Sequence, residues 1–129
     1  FKRYPEIIIR RKEIIEKYDE LLSGLDVTPM NHYDQGYASS GHLYLLRLNG
    51  KDEVFRNEVI IKMAEKGVSS NVHYKPLPMH SAYKNLGFKM EGYPNAFYMY
   101  RNEITLPLHT LLTDEDIEYV VESLREIIG

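Results

Sequence analysis

The sequence predicts an α+β fold, a small mixed or antiparallel sheet covered by helices, and three observations carry that expectation. Apolar residues recur at helical spacing near both ends and in the middle of the chain, short apolar runs lie between those segments, and glycines and prolines separate them. At 129 residues the chain holds one ordinary core, so residues 1–129 read as a single domain.

From Pro5 to about Leu22, Ile7, Ile14, Tyr18 and Leu21 fall on one helical stripe, with Ile8, Ile15 and Leu22 alongside. Pro5 suits a first turn and Gly24 a C-terminal cap. Residues 25–41 carry Pro29, Asn31, Asp34, Gly36 and paired serines, which predicts a loop with a short extended piece near Val27. His42 to Leu48 is apolar on both faces and ends at Asn49-Gly50, the pattern of an inner strand. Asp52 is placed to cap a helix whose Phe55, Val59 and Met63 recur at spacing four, with Ile60 and Ala64 beside them, closing at Gly67.

Val68 to His80 reads as a second strand that gives way to a stiff loop at Pro76 and Pro78. Alternation puts Val68, Val72 and Tyr74 on one face and Ser69, Asn71 and His73 on the other. A polar cluster where a strand meets a rigid loop is a place for fixed side chains to meet a ligand. Ser81 to Leu86 and Pro94 to about Arg101 predict two short helices, and Glu103 to Leu106 a short strand halted by Pro107. Thr113 opens the last helix, with Asp114, Glu115 and Asp116 at its N-terminus and Ile117, Val120, Val121, Leu124 and Ile128 as its core stripe. Tyr44, Met63 and Phe97 are assigned to packing.

Composition narrows the function classes. With 43% hydrophobic and 27% charged residues and a net charge of -3, the chain has no basic footprint for nucleic acid or for an anionic membrane. It has no cysteine, which removes thiol chemistry and disulfides. Its apolar runs are too short to span a bilayer, so a cytoplasmic location is expected. The chain opens at Phe1 and runs straight into helical pattern, so it is expected to be a piece of a longer protein. Five histidines, at 32, 42, 73, 80 and 109, show no helical zinc spacing, and no metal site is expected. There is no nucleophile elbow, P-loop or dinucleotide fingerprint, and the chain lacks a self-sufficient catalytic motif.

Five blocks in order carry a family resemblance: Tyr18-Asp19-Glu20-Leu21-Leu22, Ser40-Gly41-His42-Leu43-Tyr44, Val72-His73-Tyr74-Lys75-Pro76-Leu77, Leu106-Pro107-Leu108, and Leu111 to Ile117. Together they resemble the C-terminal small domain of DegT/DnrJ/StrS-type aminotransferases, fold-type I enzymes that use pyridoxal phosphate to aminate keto groups of nucleotide-linked sugars. The resemblance implies a parent that is a homodimer, uses glutamate as amino donor, and holds the Schiff-base lysine on a large N-terminal domain missing here. This chain alone is then expected to hold no cofactor and to be inert. By resemblance, His73 and Tyr74 match a pair facing the sugar substrate: His73 donating to a sugar hydroxyl or phosphate, Tyr74 stacking or hydrogen bonding.

Each of these residues has a plainer reading. Tyr74 falls on the apolar strand face and competes as core, and His42, also carried as a substrate-binding candidate, opens an apolar strand where a satisfied core histidine is expected. Lys75 suits a nucleotide phosphate or a solvated surface position. A free-standing, non-catalytic module for sugar nucleotides or for protein interaction is the alternative, and an unrelated α+β domain is a third reading.

Overall fold

The computed structural model describes residues 1–129. Its elements run α1 (Tyr4–Leu22), β1 (Val27–Pro29), β2 (Tyr33–Asp34), β3 (Tyr37–Ala38), β4 (Tyr44–Leu48), α2 (Glu53–Glu65), α3 (Ser81–Asn85), α4 (Pro94–Tyr100), β5 (Glu103–Leu106) and α5 (Asp114–Ile128). The fold is α+β, as the sequence predicts, and the three-stranded sheet β1-β4-β5 is antiparallel throughout.

β4 is the inner strand. Its register against β5 pairs Tyr44 with Leu106, Leu45 with Thr105, Leu46 with Ile104 and Arg47 with Glu103. Because strand side chains alternate, Tyr44, Leu46, Leu48, Ile104 and Leu106 share one face, which joins the core with Ile14, Ile15 and Tyr18 of α1, Val59 and Met63 of α2, and Ile117, Val121 and Leu124 of α5. Leu45, Arg47, Glu103 and Thr105 point to the opposite face, toward α4, where Arg47 lies 4.3 Å from the centre of the Tyr98 ring.

Two helices, α2 and α5, begin where their caps predict. The Asp52 side chain accepts from the Phe55 amide at 2.9 Å. Thr113 and Asp116 form a capping box, with Thr113 N–H donating to Asp116 Oδ2 at 2.9 Å and Asp116 N–H donating to Thr113 Oγ1 at 3.1 Å. In α1 the buried stripe starts only at Ile14; Ile7 and Ile8 are half-buried. Where the chain returns after the hairpin β2–β3, Gly41 adopts φ +61° and passes so near α1 that a Cβ would lie 3.0 Å from both Arg11 Cβ and Ile15 Cδ1.

Three expectations are corrected. First, Val68 to His80 is no strand: only Asn71 bridges the sheet, exchanging backbone bonds with Thr105 at 3.2 and 2.8 Å. The Asn71 side chain takes the Val72 amide at 2.8 Å, and Pro76 has no amide to offer, so the ladder ends after one rung. Asn71 lies antiparallel to β5, hence parallel to β4 with β5 between them, and no crossover joins adjacent parallel strands. Second, residues 25–41 contain the β2–β3 hairpin besides the extended piece at Val27. Third, Phe97 is partly exposed and lines a surface groove instead of the core.

α2 also buries a charge that its apolar stripe does not announce. Arg56 is 1% exposed; Nη1 donates to the Tyr100 carbonyl at 3.2 Å and to the Glu103 carbonyl at 3.0 Å, and the guanidinium sits 4.8 Å from the centre of the Tyr100 ring. A cation supplied with that many acceptors closes the end of α4 onto the start of β5.

Candidate functional site

The site is built on the sheet face away from the main helices. Glu103 and Thr105 occupy alternate positions of β5 and are both buried, which is unusual for a carboxyl and demands hydrogen-bond partners. Thr105 Oγ1 donates to Glu103 Oε1 at 2.6 Å, and the His73 amide donates to Glu103 Oε2 at 3.0 Å. Burial pushes the Glu103 carboxyl above its ordinary range, against the pull of the Thr105 hydroxyl, the His73 amide and the Arg56 charge. The His73 ring completes the cluster, with Nδ1 2.8 Å from Thr105 Oγ1. The Asn71 bridge to Thr105, two residues earlier, delivers His73 to this position.

His73 is half-buried and its ring meets Tyr74 edge-on, with centroids 4.7 Å apart and planes at 88°; the peptide joining the two is cis. Two small clefts meet at His73. One, of about 230 Å³, is shared with His42, Ser69, Asn71 and Thr105. The other, of about 140 Å³, adds Tyr74, Leu45, Met99 and Glu103.

Tyr74 is 70% exposed, so the core reading of that side chain is overturned: the strand whose alternation would have buried it does not form. His42 is exposed as well, because β4 starts only at Tyr44; it is not a core histidine, and the structure brings it to the same cleft as His73. Lys75 is exposed and lines neither cleft; its carbonyl accepts from His80 Nε2 at 3.3 Å, outside the His73 cluster. Of the four predicted residues the fold therefore gathers His42, His73 and Tyr74 and leaves Lys75 outside. Glu103 and Thr105 were not singled out by sequence; the signal was their alternation with Ile104 and Leu106, two polar residues spaced by two in a strand otherwise fit for the core.

A wider groove of about 1110 Å³ shares no residue with this cluster and is lined by Phe88, Phe97 and Tyr98 together with Lys84, Lys89, Arg101 and Glu91. It is large and shallow and gathers no buried hydrogen-bonding network, so the His73 cluster is the better candidate for fixed recognition. No group of three or more His, Asp or Glu side chains is arranged to hold a metal ion, and no helix is long and apolar enough to cross a membrane.

Residues 1–125 match the model of the DegT/DnrJ/EryC1/StrS aminotransferase family. The chain is 33% identical to the spore coat polysaccharide biosynthesis protein SpsC of Bacillus subtilis, over 98% of this chain and 33% of that protein. A candidate sugar aminotransferase of Streptococcus pneumoniae, solved in apo, PMP and PLP forms, superposes with a TM-score of 0.96 at 46% identity, covering 98% of this chain and 32% of that one. The aminotransferase TlmJ of Streptoalloteichus hindustanus superposes with a TM-score of 0.81 at 30% identity, over 98% and 33% of the two chains. The chain thus spans about a third of the length of each of these relatives.

Proposed function

The chain belongs to the DegT/DnrJ/EryC1/StrS aminotransferase family, and on that footing we propose that it is the C-terminal small domain of a pyridoxal-phosphate-dependent enzyme that aminates a keto nucleotide-sugar. Glutamate is the amino donor, the parent is a cytoplasmic homodimer, and the product feeds cell-surface polysaccharide or antibiotic sugar synthesis. The likeness to SpsC and to the pneumococcal protein supports the reaction class. The observation that carries the reading to named residues is His73, anchored by main chain and side chain on buried Glu103 and Thr105 and standing where two clefts meet, one shared with His42 and the other with Tyr74.

Pyridoxal phosphate, held by a lysine as an imine, supplies the electron sink for transamination. The residues of this chain do not fit that group by themselves: neither cleft at His73 is lined by a lysine or an arginine. The cofactor and its lysine belong with the other two thirds of the parent, and this chain is inert without them. What the chain contributes is orientation. His73 holds a polar group of the sugar, Tyr74 offers its ring face and hydroxyl, and the rigid floor of Glu103 and Thr105 keeps His73 from moving when the substrate arrives.

In the parent enzyme, His73→Ala removes one hydrogen bond to the substrate, so KM for the keto sugar rises about tenfold while the cofactor absorbance is retained. Steady-state kinetics beside an absorbance spectrum checks this. Unchanged sugar kinetics together with lost cofactor absorbance would overturn the assignment.

A further inference from the structure

The hydrogen-bond directions in the His73 cluster fix more than its position. A carboxylate can only accept, so the single hydroxyl proton of Thr105 is committed to Glu103 Oε1 at 2.6 Å. Glu103 Oε2 is likewise engaged, by the His73 amide. Toward the imidazole, Thr105 Oγ1 is left with lone pairs alone, and the 2.8 Å contact requires that His73 Nδ1 carry the proton. His73 Nε2 has no partner within the chain, and it is not among the buried polar atoms left unsatisfied, so it is open to the cleft.

We propose that Glu103 and Thr105 are positioning residues that lock His73 in its Nδ1–H tautomer and present Nε2 as a hydrogen-bond acceptor for a hydroxyl group of the ligand. On this proposal His73 accepts from a hydroxyl, in place of donating to a hydroxyl or a phosphate. With the proton on Nδ1 and the Nε2 lone pair outward, the ring attracts a hydroxyl proton and repels a phosphate oxygen, which has only lone pairs to offer. The cleft agrees with that chemistry: no lysine or arginine lines it, and His42, Ser69 and Asn71 line it with hydrogen-bonding groups. The identification of the hydroxyl as one on a sugar rests on the proposed function; the tautomer does not.

The test therefore starts without substrate. The 129-residue chain is labelled with ¹⁵N-histidine, and long-range proton–nitrogen correlations are recorded at about pH 9, well above the ordinary imidazole range. His73 should show a protonated Nδ1 and a bare Nε2, opposite to the preference of free imidazole side chains. Thr105→Val keeps the β-branched shape and loses the acceptor, so His73 should revert to the Nε2–H form; Thr105→Ser should restore Nδ1–H. An Nε2–H signal in the unaltered chain would mean that the relay runs the other way, from a protonated Glu103, and would overturn the proposal, as would a Thr105→Val chain that keeps Nδ1–H.

The second arm uses the parent enzyme. Thr105→Val should raise KM for the sugar substrate several-fold, leave the cofactor spectrum unchanged, and be rescued by Thr105→Ser. If the tautomer follows Thr105 while neither His73→Ala nor Thr105→Val alters sugar kinetics, the relay stands and the sugar reading fails. If the tautomer ignores Thr105 while His73→Ala raises KM, the sugar reading stands and the relay fails.

Discussion

His32 shows how much a single side chain can matter away from the site. It is buried, its ring stacks on Tyr44 with centroids 5.7 Å apart and planes at 14°, and its Nε2 has no partner. Burial lowers its pKa below the ordinary 6.5, with Asp19 pulling weakly the other way. The folded state thus holds fewer protons than the unfolded one in that range, so His32 contributes stability above about pH 6.5 that is lost as pH falls through the lowered value. Glu103 acts with the opposite sign, its contribution being complete below about pH 4.5 and lost as pH rises through its raised value. The comparison must therefore be between chains: His32→Phe, which keeps the stacking and cannot charge, should flatten the fall in urea midpoint between pH 7.5 and 5. An equal slope in both chains would clear His32 of the role. Sequence marked His73 by its place beside two prolines and a tyrosine, and carried His42 and Tyr74 as candidates beside it; only their competing buried readings fail, because both burials depended on strand limits that a few residues decide. It could not see Glu103 and Thr105 as partners of His73, since the contact spans thirty residues of chain and one backbone bridge.

Among the elements, periodicity sufficed wherever burial was one-sided and continuous. α5 is the clearest case: Ile117, Val120, Val121 and Leu124 are all buried, as their spacing implies. Val121→Asp puts an unpaired charge between α5 and its neighbours and should cost more than about 4 kcal/mol, a large share of the stability of a domain of this size. Thermal unfolding followed by circular dichroism checks it, and an unaltered midpoint would mean that α5 presents another face to the core. The segment from Val68 to Met79 misled for a physical reason. Alternation of apolar and polar residues is necessary for a strand but does not supply a neighbour, and here the edge this segment meets, that of β5, is used once, by Asn71. Arg56 was hidden by its own charge: it lies on the inward stripe of α2, one turn before Val59, and is admitted because two carbonyls and an aromatic ring receive it.

The whole molecule has one finished side and one open side. The helices α1, α2 and α5 close the apolar face of the sheet, whereas Tyr74, Leu77, Leu86, Phe88, Tyr93, Tyr98 and Met99 are exposed between residues 74 and 99. That is a large share of the exposed apolar side chains in one stretch, and it is the surface that the proposed place in a larger enzyme would cover. At this scale the expectation is spectroscopic. The chain mixed with pyridoxal phosphate and reduced with borohydride should show only sparse, scattered lysine adducts by intact mass and peptide mapping. A stoichiometric adduct at one lysine, reversible by an amino donor before reduction, would identify a complete small enzyme instead. Fold class was legible at this level because it follows from the order of elements, while the open side was not, since an exposed aromatic and a buried one look alike in a sequence.

The pairing of β4 with β5 ties the quality of folding to the ability to recognise a ligand. Sliding β5 by one residue would turn Ile104 and Leu106 toward His73 and drive Glu103 and Thr105 in among Ile14, Tyr18 and Leu124. Such a chain would strand a carboxyl in hydrocarbon, so it would be cleared as an unfolded protein before it could persist as a folded but blind one. Recognition here needs no separate safeguard: the same two side chains that hold His73 also proofread the sheet.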